Sequence, residues 1–176
     1  MSNGQIIYLD YAAATPIEPA VLAAMQPYFS DYFYNPSSPY LPAVETRRAL
    51  EQARHRVAVC IGGQADDIIF TAGATESIAL ALTAADGGEL ITSAVEHPAV
   101  LENAKRAEAV VLEPLANGRI DPEAVKRAIT PETQVVSIGL ANSELGTIQP
   151  LKEIAGIVAM ERLRRLEESE TRPIWL

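Results

Sequence analysis

FTAGATESIALAL, residues 70–82, changes character in its middle. Apolar, strand-like residues lead in, Ala72, Gly73 and Ala74 fill a turn, and an alanine-rich run from about Thr75 has helical spacing. A strand that feeds a helix through a turn of small residues is the building unit of α/β folds. Such a turn also leaves the first backbone N–H groups of the helix unpaired at the positive end of its dipole, where small side chains let an anion approach. Thr75 and Ser77 add hydroxyl donors. On local pattern alone, small residues in such a turn more often serve close helix packing than a ligand. The turn fits neither GxxxxGKS/T nor GxGxxG, so nucleoside triphosphates and dinucleotides lose their motif support.

Working outward, short β-branched runs alternate with amphipathic segments. The pattern predicts strands near 6–9, 68–70, 89–92, 109–113 and 134–140, with helices between most of them, hence βα units and a largely parallel sheet. In ATPIEPAVLAAM (14–25), Thr15 is a candidate cap, Pro16 suits the first helical position and Glu18 completes a capping box. The segment LPAVETRRALEQARHRVAVCIGG (41–63) spaces Val44, Leu50, Ala53, Val57 and Ile61 at three to four residues, and Gly62-Gly63 supplies its stop. Ser93 and Glu96 have capping-box spacing ahead of HPAVLENAKRAEA (97–109). Asp121-Pro122 opens the helix PEAVKRAI, Asn117-Gly118 is a turn, and a long helix runs from Leu151 into ERLRRLEESE. TRPIWL (171–176) reads as the beginning of a further buried strand, with a docked apolar tail as the alternative.

The 176 residues suffice for one domain with a core or for part of a larger one. Hydrophobic residues make up 48% and charged residues 21%, with no apolar run of bilayer length, which is the balance of a soluble chain. The beginning, MSNGQIIYLDYAAATP, lacks the basic and apolar regions of a secretory signal, so the expected compartment is the cytoplasm. A net charge of -9, from 14 Lys+Arg against 23 Asp+Glu, argues against nucleic acid as a partner. Cys60 is the one cysteine, so no internal disulfide or CxxC pair exists, and two distant histidines, His55 and His97, do not make a metal site. Cys60, in VAVCIGG, reads as a small buried residue.

YLDYAAATP (8–16), YNPSSPY (34–40), FTAGATES (70–77), SAVEHPAVLE (93–102) and LANSELGTIQPL (140–151) follow one another in an order and spacing that resembles the cysteine desulfurases. These belong to the class V aminotransferase group of pyridoxal-phosphate enzymes. The resemblance runs from Tyr8 to about Trp175. It implies an α/β chain forming an incomplete aspartate-aminotransferase-type (fold type I) large domain, a mainly parallel sheet flanked by helices. Within it, 1–15 would be an N-terminal segment, 16–62 the N-terminal helices and an active-site loop containing Asn35, and 63–176 part of the cofactor-binding domain. By the same resemblance, Ala74 and Thr75 match positions that bind the phosphate of pyridoxal 5′-phosphate. His97 matches the histidine that stacks on the pyridine ring and assists proton transfers. Asn142 matches the asparagine that contacts the phenolic oxygen and the substrate carboxylate region.

The residue types suit those roles. A flat imidazole can stack and shuttle protons, and an amide after a strand offers a donor and an acceptor where α/β proteins bind ligands. Without the resemblance, His97 is an ordinary residue at a helix start and Asn142 is as readily a turn asparagine.

The resemblance also implies an L-cysteine substrate, a homodimer or a complementing C-terminal half, and a sulfur-acceptor protein as a further partner. Several family features have no match among these residues: the aspartate facing the pyridine nitrogen, the glutamine beside the phenolic oxygen, and the Ser-x-His-Lys segment with the cofactor lysine. Lys105, Lys126 and Lys152 sit in charged amphipathic helices, as solvated lysines do, and Cys60 does not match the persulfide cysteine. Ile78, Ala79, Ser143, Tyr40, Ala43 and Val44 also depart from the family pattern, which leaves a selenocysteine-acting relative or another class V aminotransferase open. The expectation is the N-terminal part of a cysteine desulfurase, inactive alone, with a non-catalytic assembly or binding subunit as the alternative.

Overall fold

The computed structural model describes residues 6–83, 87–167 and 174–176. The chain divides into two compact units, Met1–Phe70 and Thr71–Leu176. Among the described residues no helix is long and apolar enough to cross a membrane.

The first unit is helical: α1 (Pro19–Met25), α2 (Pro27–Ser30) and α3 (Leu41–Ile61), followed by a 3-10 turn at Ala65–Asp67. The predicted cap of α1 is displaced. Glu18 is the N-cap and Pro19, not Pro16, takes the first turn. A helix opened at Thr15 would need the N–H of residue 19 to pair with the Thr15 carbonyl, and a proline has none. The helix α3 ends as expected, with Gly62 left-handed at φ 72° and Gly63 N–H returning to the Ala58 carbonyl at 2.9 Å.

Three expectations fail in this unit. Residues 6–9 are not a strand, since among the described residues no segment of the unit pairs with them, and Tyr8 instead turns its hydroxyl onto the carbonyls of Asp10 and Ala14. Residues 68–70 are not a strand either: the Arg54 guanidinium donates to the Ile68 carbonyl and lies 4.9 Å from the centre of the Phe70 ring. Cys60 is exposed rather than buried. The predicted stripe on α3 is largely uncovered, with Val44 half-buried and Leu50, Ala53, Val57 and Ile61 exposed; the buried residues of the helix, Ala43 and Ala58, lie outside that stripe, and α1 and α2 bury no residue of their own.

The second unit carries the sheet. After α4 (Ala74–Leu82) come β1 (Glu89–Ser93), α5 (Pro98–Arg106), β2 (Val110–Leu112), α6 (Pro122–Ala128), β3 (Thr133–Ser137) and α7 (Leu151–Glu167). The strands form a parallel sheet in the order β2-β1-β3, with Ile91 opposite both Val110 and Val136. Trp175 adds a parallel bridge outside β3, giving 2.7 Å bonds between its backbone and those of Gln134 and Val136. Ile174 is fully buried, so the strand reading of 174–176 holds, while the remainder of TRPIWL lies outside the described residues.

Side chains alternate across the strands, and each face has its own core. Ile91 and Val136 meet Val125 of α6 and Ile154 and Val158 of α7 on one face. Leu90 and Val135 meet Ala104 of α5 and Leu82 of α4 on the other. The central strand β1 is buried on both faces, as parallel strands covered by helices are, whereas Val111 of the edge strand β2 is exposed.

Candidate functional site

Open parallel sheets bind ligands beyond the carboxyl ends of their strands. Here that edge consists of the segment from Ser93 to His97 after β1 and the segment from Ile138 to Gln149 after β3. The expected capping box at Ser93 and Glu96 is not a helix cap. With Ser93 as cap, Pro98 would fall inside the helix with no N–H to give, so α5 starts at Pro98 and His97 becomes its N-cap. Imidazole Nδ1 of His97 accepts the Ala99 N–H at 3.1 Å. A ring that accepts at Nδ1 carries its proton on Nε2, so the cap defines the tautomer. The ring itself is exposed.

Strand β3 was expected to reach residue 140, yet it ends at Ser137, because the chain then turns into a narrow hairpin. Ala141 bridges Ile148 in antiparallel fashion, and Gln149 N–H bonds the Leu140 carbonyl at 2.8 Å. Asn142 organises the tip. Its Oδ1 accepts the N–H groups of Glu144 at 3.0 Å and Leu145 at 2.8 Å, and its Nδ2 donates to the Val95 carbonyl at 3.0 Å. The carbonyl end of the amide is committed, and one of its two N–H bonds is left over.

His97 and Asn142 line one cavity of about 340 Å³, together with Glu96, Gly139 and Gln149. Ala74 and Thr75 do not line it. They are the first two residues of α4, behind the extended N-cap Gly73, and among the described residues their N–H groups have no partner. The Glu76 carboxylate turns back to the Ala72 N–H at 2.6 Å and leaves both of them open. The helices α4 and α5 pack together, and their C-terminal ends flank a second cavity lined by Ala79, Leu82, Asn103 and Arg106. They run the same way, so the start of α4 lies toward the same end of the sheet as His97.

Two residues escaped the sequence reading. Glu96 accepts both the Ser93 hydroxyl at 2.6 Å and the Gly139 N–H at 2.9 Å. Gln149, almost fully buried, accepts the Ile120 N–H at 2.8 Å and donates to the Gly118 carbonyl at 2.9 Å, tying the hairpin to the 117–118 turn. A polar side chain inside the apolar run TIQPL was the one available signal for Gln149; that of Glu96 was present but assigned to a cap. The three lysines are exposed on helices and none lines the cavity of His97.

The family description "Aminotransferase class-V" matches residues 7–162. The chain belongs to the aminotransferase class-V family. Among curated relatives of this class-V chain, cysteine desulfurase IscS of Dictyoglomus turgidum (strain DSM 6724 / Z-1310) is 43% identical over 163 residues, covering 86% of the chain and 41% of the relative. The IscS of Rickettsia felis (strain ATCC VR-1525 / URRWXCal2) is 42% identical over 168 residues, covering 89% and 41%. Two solved structures agree. One, described as SspA in complex with cysteine, has a TM-score of 0.81 at 38% identity over 88% of this chain and 48% of its own. The other, a NifS-like protein, has a TM-score of 0.82 at 32% identity over 89% and 46%. The class-V chain therefore spans about two-fifths of the length of its curated relatives. Its parallel sheet with helices on both faces is part of the aspartate-aminotransferase-type fold, as the resemblance implied, and the family is pyridoxal-phosphate dependent.

Proposed function

We propose that this chain is the N-terminal part of a cysteine desulfurase, the enzyme that converts L-cysteine to L-alanine and passes sulfur to a persulfide on itself for iron–sulfur cluster or other sulfur biosynthesis. The observation that carries the cofactor half of this reading is the pair of unpartnered N–H groups at Ala74 and Thr75. Two adjacent donors at the start of a nine-residue helix, with no side chain over Gly73, suit a phosphate dianion. The identities with IscS chains support the substrate class, as does the cysteine named for SspA.

The residues divide the work. Ala74 and Thr75 hold the phosphate through their N–H groups, with the exposed Thr75 hydroxyl beside them. His97 offers an open ring face for stacking, and its Nε2 holds the proton available to a neighbouring acceptor, because Nδ1 is occupied by the Ala99 N–H. The spare N–H of Asn142 is the donor left for a phenolic oxygen, and its Oδ1, already accepting twice, adds nothing there. Bound pyridoxal phosphate supplies an electron sink for bonds at the α-carbon of an amino acid. With no lysine on this cavity, the chain alone is expected to bind pyridoxal phosphate without a covalent link and not to turn over L-cysteine. A chain that contributes the cofactor lysine is the partner this reading requires for turnover.

The deciding experiment is Ala74→Pro. Proline is welcome in the first turn of a helix, and the extended Gly73 before it, at ψ 178°, accepts a following proline without strain. The substitution deletes one donor and spares the fold. The melting temperature should stay unchanged or rise, while pyridoxal phosphate affinity, measured by fluorescence titration, should fall about tenfold, the worth of one hydrogen bond to a charged group. Equal affinity in the two proteins would remove α4 from the cofactor site.

A further inference from the structure

Three consecutive residues after β1 do three different things. Val95 receives the Asn142 side chain through its carbonyl, Glu96 receives the Gly139 N–H, and His97 faces the cavity. Glu96 is itself held from below, since the same Oε1 accepts the hydroxyl of Ser93, a fully buried residue at the last position of β1. Its second oxygen, Oε2, lies 3.0 Å from where a Cβ on Gly139 would stand. A side chain at 139 and a carboxylate at 96 therefore compete for the same space, and glycine suits this position for that reason rather than for any unusual φ.

From this arrangement we propose that Glu96 is a positioning residue of the site. It clamps the segment after β1 to the segment after β3 and so sets the separation of the His97 ring from the spare N–H of Asn142. The inference rests on the cofactor reading above but is tested separately from it. Without the clamp, Val95 to Asn142 is the one side-chain bond among the described residues still joining the two segments, and a single bond is a pivot that lets the cavity open and close. Glu96 needs no contact with the cofactor for this. Its effect passes through the backbone of Gly139 and through its own neighbour, His97.

The test uses the 176-residue chain in four forms: unchanged, Glu96→Ala, Glu96→Gln and Gly139→Ala. Nuclear magnetic resonance reads the exchange of the Gly139 amide with solvent and the side-chain amide signals of Asn142; fluorescence titration reads pyridoxal phosphate affinity. Loss of one hydrogen bond to a charged group should speed Gly139 exchange about tenfold in Glu96→Ala, displace the Asn142 signals and weaken affinity about fivefold. Glu96→Gln keeps an acceptor in place and should restore all three to within about twofold. Gly139→Ala, whose Cβ would stand 3.0 Å from Oε2 and so asks the carboxylate to give by a few tenths of an ångström, should move the same three readouts in the Glu96→Ala direction by a smaller amount, and it supplies the test if that variant does not fold. A purely structural residue would lower the melting temperature and leave the Asn142 signals and the affinity alone. That result, or a Glu96→Gln protein that behaves like Glu96→Ala, overturns the proposal. If the unchanged chain binds no pyridoxal phosphate, the cofactor reading falls, and the exchange and amide signals alone decide whether Glu96 is the clamp.

Discussion

Replacing Arg165 with alanine should cost about 3 kcal/mol of stability, the low end of what is lost when one partner of a buried ion pair is removed. Its side chain, only 2% exposed on α7, donates to the carbonyls of Thr133 at 2.8 Å and Thr130 at 2.7 Å and to Glu161 at 3.0 Å. Alanine takes the side-chain donor from the Thr133 carbonyl and from the Thr130 carbonyl, but the latter keeps the Thr133 N–H at 3.1 Å and Glu161 keeps Arg164, which is why the loss belongs at the low end. Lysine should recover only part of it, because a single ammonium cannot reach three acceptors as a planar guanidinium does. Against a typical domain stability of about 5–15 kcal/mol this is a large fraction, visible as a lowered urea midpoint. Pyridoxal phosphate affinity measured well below the transition should not change, since the cluster lies at the amino ends of the strands, away from His97 and Asn142. An Arg165→Ala chain as stable as the parent would mean that the guanidinium is dispensable.

The same cluster makes a pH prediction. Hydrogen bonding from Arg164, with a further contribution from Arg165, holds the Glu161 carboxyl below its ordinary value of 4.5, although burial pulls the other way. A carboxyl depressed by folding contributes stability that is present above the unfolded value and is lost as pH falls through the folded one. The urea midpoint should therefore be flat near neutrality and decline below about pH 4.5, and Glu161→Gln should flatten that decline.

Much of the second unit could be read from its residues because local and tertiary preferences agree there. The runs at 89–93, 110–112 and 133–137 are rich in β-branched residues, with β1 and β3 buried more deeply than the edge strand β2, and Asp121-Pro122 caps α6 as its chemistry demands, with Asp121 accepting the Glu123 N–H at 3.0 Å. The first unit was less legible, since a strand is not a property of a segment alone. Residues 6–9 and 68–70 have strand composition but no neighbour of their unit to complete a ladder, and the Ile68 carbonyl takes Arg54 instead. Both displaced caps share one cause: proline fixes where a helix can begin, and Pro19 and Pro98 outrank better-looking cap residues upstream. In the candidate site, the resemblance singles out His97 and Asn142, and the structure brings them to one cavity, whereas the direction of their hydrogen bonds could not be read from the sequence. Which Asn142 atom remains free depends on Val95, 47 residues away, and no spacing rule connects the two.

That direction makes Asn142→Asp the sharpest test of the site, with an expected loss of pyridoxal phosphate affinity of about 100-fold. An aspartate keeps an oxygen where Oδ1 accepts the N–H groups of Glu144 and Leu145, so the hairpin tip retains its two caps. It replaces Nδ2 with a second oxygen 3.0 Å from the Val95 carbonyl, turning an attraction into a repulsion between two acceptors. It also abolishes the spare N–H and sets a negative charge where the proposed reading places a phenolic oxygen. A lost donor to a charged oxygen accounts for about 1.5–3 kcal/mol, or roughly 10- to 100-fold, and the new repulsion moves the total to the upper end. Asn142→Ala, which removes the donor and both caps but adds no charge, should lose affinity about tenfold and increase amide exchange at Glu144 and Leu145. The order of the two variants carries the argument. If alanine were worse than aspartate for affinity, capping the hairpin would be what Asn142 contributes, and its role as a donor to the cofactor would be wrong.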